Sequence, residues 1–220
     1  MVNMPTIAID SAKGLKYTGC VSGSTRGIIE FYSYMENVFT ANGVKHFHWH
    51  KINRKKRQVC RNDILQIVNK SNLKFNILLH KIPTNFSHKE FYLKQVPYSI
   101  AENLIPWIKS FSKDADIDVF VNEDYNIRNT PNGTDIFIDN FLIKIGLLVA
   151  DKKPVVFTNT REDKKIRATV KNQNGNIIDF YACKSKTSES KEIQIIDIIL
   201  GYFLENSKGF DYSRIHFKKI

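Results

Sequence analysis

Four acidic positions stand where chemistry could be built. Asp10 closes the short apolar stretch TIAID (residues 6–10), and Glu123 and Asp124 close DIDVFVNED (116–124). Asp197 interrupts the apolar run IQIIDIILGYFL (193–204). A carboxylate in such surroundings is costly unless it is paired, exposed or bound to a cation. Acids gathered at the carboxyl ends of strands repel one another, and divalent cations relieve that repulsion. In a two-ion hydrolytic site the ions activate water and stabilise the leaving oxygen of a phosphodiester. Carboxylate oxygens are hard ligands, so magnesium is the expected ion and manganese a substitute. The plainer alternative for Asp197 is a helix-face charge that reaches solvent or pairs with Lys191.

Charge supplies the second signal. The 220-residue chain has 33 basic and 22 acidic side chains, a net charge of +11, which favours an anionic partner such as nucleic acid. The excess is concentrated in KHFHWHKINRKKRQVCR (45–61), which carries Lys45, Lys51, Arg54, Lys55, Lys56, Arg57 and Arg61 and no acid. Phosphates attract such a run whatever the base sequence, and Phe47 and Trp49 offer stacking faces; a solvated loop is the competing reading. Lys51, Arg54, Lys55, Lys56, Arg57 and Arg61 are the candidate nucleic-acid contacts, with DNA and RNA undistinguished. In the same segment His46, His48 and His50 alternate. On a strand they would share a face, but a row of ligands roughly 6.5 Å apart cannot impose tetrahedral zinc geometry.

Other chemistries have less support. SGSTRG (22–27) lacks the lysine and glycine spacing of a phosphate-binding loop. Cys20, Cys60 and Cys183 are scattered and odd in number, which argues against a zinc ribbon, a disulfide framework or thiol catalysis and favours a reducing, cytoplasmic setting. No apolar run approaches about 18 residues, so a membrane span is not expected.

The elements that must position these residues alternate. Residues 6–10 and LKYTGCVSG form a strand pair. A helix over 28–43 follows, with Ile28, Tyr32, Met35 and Phe39 on one face. HFHWH reads as an edge strand, NDILQIVNKS as a short helix capped by Asn62, and FNILLHKI (75–82) as a strand. Pro97 and Pro106 break the helical pattern of 88–112 into a kinked or two-part element. A central strand over 116–125 puts Val119 and Val121 on one face and Asp118, Phe120 and Asn122 on the other. TPNGTD turns into a helix from 136 whose stripe is Ile136, Phe137, Phe141 and Ile145. PVVFTNT, KIRATVKN and GNIIDFYAC are strands, the last two joined by an Asn174-Gly175 turn. A helix over roughly 189–206 ends the pattern. No linker or repeat divides it: the expectation is one α/β domain over 1–220, a mixed sheet flanked by helices.

Four segments also carry a family resemblance. IAIDS (7–11), HFHWHKI (46–52), VFVNED (119–124) and CKSKTSESKEIQIIDIILG (183–201) resemble the signatures of an uncharacterised microbial family with a ribonuclease H-like fold, a domain of unknown function. Its members open with Asp-Glu-Ser-Gly after a short strand and end on a Gln-Leu-Ala-Asp-Leu helix, matched here in order and spacing by Gln194-Ile195-Ile196-Asp197-Ile198. The resemblance covers nearly the whole chain. It implies a ribonuclease H-like nuclease in which Asp10, Asp124 and Asp197 hold magnesium, Glu123 is a substitute acid, and His48 positions phosphate or moves a proton. Two departures stand out: Ser11 replaces the second opening acid, and Asn122 stands where the central strand presents aspartate. They motivate a second expectation, a non-catalytic nucleic-acid-binding or assembly protein on the same fold.

Overall fold

The computed structural model describes residues 4–12, 15–80, 87–123, 132–149, 160–162, 165–172, 174–205 and 215–219. A mixed eight-stranded sheet is its frame. The strands are β1 (Pro5–Ala12), β2 (Tyr17–Ser24), β3 (Lys74–Leu79), β4 (Ala115–Asn122), β5 (Thr160–Glu162), β6 (Lys165–Lys171), β7 (Ile177–Ser185) and β8 (Ile215–Lys219). They lie in the order β5-β6-β7-β4-β1-β2-β3-β8. β1, β2 and β3 form an antiparallel meander; β4 runs parallel to β1, and β7 parallel to β4. β6 returns antiparallel to β7 and pairs with β5, while β8 lies parallel to β3.

Strand alternation builds two cores. Ile7, Ile9, Ile117, Val119 and Val121 face helices α4 (His88–Lys94), α5 (Val96–Lys109) and α6 (Gly133–Val149). Ala8, Val21, Phe75 and Ile77 face α1 (Thr25–Ala41), α3 (Arg61–Lys70) and α7 (Lys191–Glu205). The period of two therefore puts Asp10 with Ala8, and Asn122 with the half-buried Phe120, on the α7 side. α1 buries the expected Ile28, Tyr32, Met35 and Phe39 and is capped by Ser24, whose hydroxyl accepts from Gly27 N at 3.1 Å. The two-part helix around Pro97, the β6–β7 hairpin and the terminal helix also form where the pattern puts them.

Four local expectations change. HFHWH is not a strand; it leads into a single 3-10 turn, Trp49–Lys51, because Trp49 is drawn into the core. Arg54–Val59 forms a further short helix, α2, with no buried residue, started by the Asn53 side chain accepting from Lys55 N at 2.9 Å. α3 begins after Cys60 rather than at Asn62. On α6, Phe137, Phe141 and Ile145 are buried, but Ile136 is 39% exposed. That helix is apolar nearly all round, so spacing alone could not orient it. The expected PVVFTNT strand falls mostly outside the described residues, as do Asp124 and the first two residues of TPNGTD. Among the described residues no helix is long and apolar enough to cross a membrane.

Candidate functional site

β1 and β4 bring the first acid to its neighbour. Ala8 and Ile9 pair with Phe120 and Val121 in parallel register, which carries Asp10 alongside Asn122. Asp10 is 2% exposed, and its Oδ1 accepts from Ser11 N at 2.7 Å and from Asn122 Nδ2 at 2.5 Å. The position that would add a second charge therefore donates a hydrogen bond to the first. Glu123 is separated from this pair: its N–H still bonds Ser185 O, at 2.9 Å, so strand alternation puts its side chain on the opposite side.

α7 closes over the same face. Gly19 lies opposite Asp10 on β2, and a Cβ there would come 2.8 Å from Ile196 Cδ1. The missing side chain lets α7 settle onto the sheet beside Asp10, with Asp197 one residue on from Ile196. Asp197 is 9% exposed. Its Oδ2 accepts from Trp49 N at 2.7 Å and lies 2.7 Å from His48 Nδ1. An ionised carboxylate only accepts, so Nδ1 carries the proton and Nε2 is left as the working nitrogen. No described residue donates to Asp197 Oδ1.

The hydrogen bond to Asp197 is the largest influence on His48 and raises its pKa, against burial and the Lys51 charge, which lower it. Asp197 thus pairs not with Lys191 but with a histidine 149 residues away. Lys191 lies over the Tyr32 ring, 4.9 Å from its centroid.

Trp49 holds this arrangement and was not foreseen as a structural residue. Only 1% exposed, it cannot offer a stacking face to a base. The indole fills the notch left by Gly201, and its Nε1 donates to Glu205 Oε1 at 3.1 Å. Arg57 donates to the same oxygen and sits over the indole, 5.1 Å from its centroid. A glycine amid the apolar helix Ile193–Leu204 was the available signal for a large inserted ring. Phe47 is likewise committed, stacked on Phe39 with ring centroids 5.6 Å apart. Arg57 ties α2 to α7, whereas Lys51, Arg54, Lys55, Lys56 and Arg61 are exposed.

The donor set can be weighed against a cation. Among the described residues no three His, Cys, Asp or Glu side chains group into a metal centre. Asp10, Asp197 Oδ1 and the Asn122 amide oxygen provide hard oxygens with a total charge of −2. Asn122 already turns its Nδ2 to Asp10 Oδ1, and a pair of ions would need another acid. No family model, curated protein or solved structure matches the chain.

Proposed function

We propose that the protein is a ribonuclease H-like phosphodiesterase that acts on nucleic acid through Asp10, Asp197 and His48. The observation that carries this reading is the meeting of distant segments on one sheet face: Asp10 beside Asn122, and Asp197 paired with His48 on the helix covering them. The sheet supports it. An antiparallel β1–β2–β3 meander with β4 and then β7 parallel to β1 has the strand order of the ribonuclease H-like core, with β5 and β6 as an added hairpin. The exposed basic residues of 51–61 follow directly on the turn that bonds Asp197.

Asp10, Asp197 Oδ1 and the Asn122 carbonyl would hold one magnesium or manganese ion, which supplies Lewis-acid polarisation of the phosphoryl group when bound. The chain's own part centres on His48. Asp197 fixes its tautomer, and Nε2 takes a proton from the attacking water or returns one to the leaving oxygen. The raised pKa keeps a protonated fraction above the ordinary histidine range. Phosphates are gathered by the exposed Lys51, Arg54, Lys55, Lys56 and Arg61. A second reading, a binding module without catalysis, is favoured by one contact: Asn122 satisfies Asp10 without adding charge.

Cleavage of mixed DNA and RNA substrates in magnesium, manganese and EDTA tests the proposal. The wild type is expected to cleave only with metal, and Asp10→Asn to lose about 100-fold or more of that rate. Binding without cleavage under any condition transfers the weight to the second reading. Asn122→Asp sharpens the choice. A second carboxylate beside buried Asp10 should cost about 1–2 kcal/mol in EDTA through like-charge repulsion. Magnesium should restore the loss in thermal melts. A variant that melts like wild type in EDTA, or one that magnesium does not rescue, counts against a cation at this position.

A further inference from the structure

The basic segment does not lie as one stripe; it folds around a cavity. Gly43, Lys45, His46, Lys51, Asn53 and Lys56 are among the residues lining about 210 Å³, and no acidic side chain among the described residues joins them. Lys56 Nζ donates to Gly43 O, which spends one of its three donors and anchors the ammonium at the cavity. Lys45 and Lys51 make no ion pair among the described residues. Three lysines thus line one cavity with no acidic residue among its described lining, which favours an anion there.

The other side of α2 provides the contrast. There Arg54, Arg57 and Arg61 line a cavity of about 350 Å³ together with Glu205, and Glu205 already accepts from Arg57. That basic cluster carries its own anion; the lysine cavity does not. Lysine ammoniums on flexible stems are compact point charges, suited to surrounding a phosphate with several free oxygens. A phosphodiester carries one negative charge, whereas a phosphate monoester carries close to two at neutral pH. Charges that follow the interior of a strand are spread along a groove, not gathered in one hollow.

One turn contributes to both the cavity and the site. Lys51 N donates to His48 O at 2.9 Å, so the turn that presents His48 to Asp197 also presents Lys51 to the cavity. We infer that this cavity binds a phosphate monoester dianion: on the nucleic-acid reading above, the terminal phosphate of a strand held beside the His48–Asp197 pair. The protein would then work near phosphorylated ends and not at arbitrary interior positions.

The test uses three versions of one oligonucleotide, with a 5′-phosphate, with a 3′-phosphate and with hydroxyls at both ends. Anisotropy measures their affinity for the whole chain, and inorganic phosphate serves as competitor. One phosphorylated form is expected to bind about tenfold more tightly than the hydroxyl form. Inorganic phosphate should erase the difference, and so should the double variant Lys45→Gln/Lys51→Gln, whose melt is checked in parallel. Equal affinities for all three forms, or a preference that survives the double variant, overturn the inference while leaving nucleic-acid binding intact. If no oligonucleotide binds but inorganic phosphate raises the melting temperature of wild type and not of the double variant, the monoester pocket stands and the nucleic-acid reading fails.

Discussion

On the proposed function, Asp197→Asn is expected to lower metal-dependent phosphodiester cleavage about 1000-fold, since it would remove both a charged ligand and the anchor of the histidine proposed to move the proton. The amide keeps the size of the side chain and can still accept from Trp49 N, so the turn it holds should survive. His48 gives a readout that needs no substrate. In metal-free protein its pKa is raised mainly by the hydrogen bond to Asp197. Without that charge, burial and Lys51 remain, and both lower it. Titration of the imidazole by NMR should therefore show a drop to its ordinary value of about 6.5 or below.

The stability consequence has a definite sign. A folded-state pKa above the unfolded one contributes stability that is fully present below the unfolded value and fades as pH rises through the folded one. Asp197→Asn should thus be most destabilising at mildly acidic pH, with the gap to wild type narrowing as pH rises past the raised His48 value. A gap that widens with pH, or an unmoved His48 titration, would reject the pairing as the source of the shift.

How much of this was legible in the sequence depends on the range of the interaction. Asn122 ends β4, whose alternation is plain, and Asp10 lies in the uniformly buried β1, so their common face comes from the parallel β1–β4 register and not from spacing in both strands. Asp197 was conspicuous for its apolar neighbours, but its partner was not: Lys191 is near in sequence, and His48 is near only in space. The HFHWH alternation imitates a strand because aromatic and polar residues also alternate when one ring is buried and its neighbours are not. What overrides the local pattern is the Trp49 indole entering α7. α2 has no apolar face to detect; its helix rests on an asparagine cap and on Arg57 bonded to Glu205. β8 is a five-residue edge strand, too short for alternation to single out. The two cavities flanking α2 follow from these unforeseen turns, which is why the sequence showed a basic run but not its division into a lysine hollow and an arginine one.

Gly201→Ala should be strongly damaging although it lies outside the charged site. In the interior of a helix, alanine ordinarily stabilises relative to glycine by up to about 1 kcal/mol. Here the new Cβ would lie 2.2 Å from Trp49 Cδ1 and Cγ and 2.7 Å from its Cβ. Those atoms are the near end of a buried ring, not the tip of a flexible chain. The ring is held by Glu205 at Nε1, by Arg57 over its face and by the edge of Tyr202, centroids 5.9 Å apart. Relief requires the whole 48–51 turn to move, at a cost of about 3 kcal/mol and roughly 6–12 °C in melting temperature. Because Trp49 N bonds Asp197, the same movement should loosen the His48–Asp197 pair and bring the imidazole pKa down although neither residue has changed. Adding Trp49→Val to Gly201→Ala should recover part of the stability by removing the colliding ring, but not the contacts to Glu205 and Arg57. If Gly201→Ala melts like wild type and leaves His48 unmoved, the indole does not occupy that notch in solution, and the path by which packing sets the histidine is lost with it.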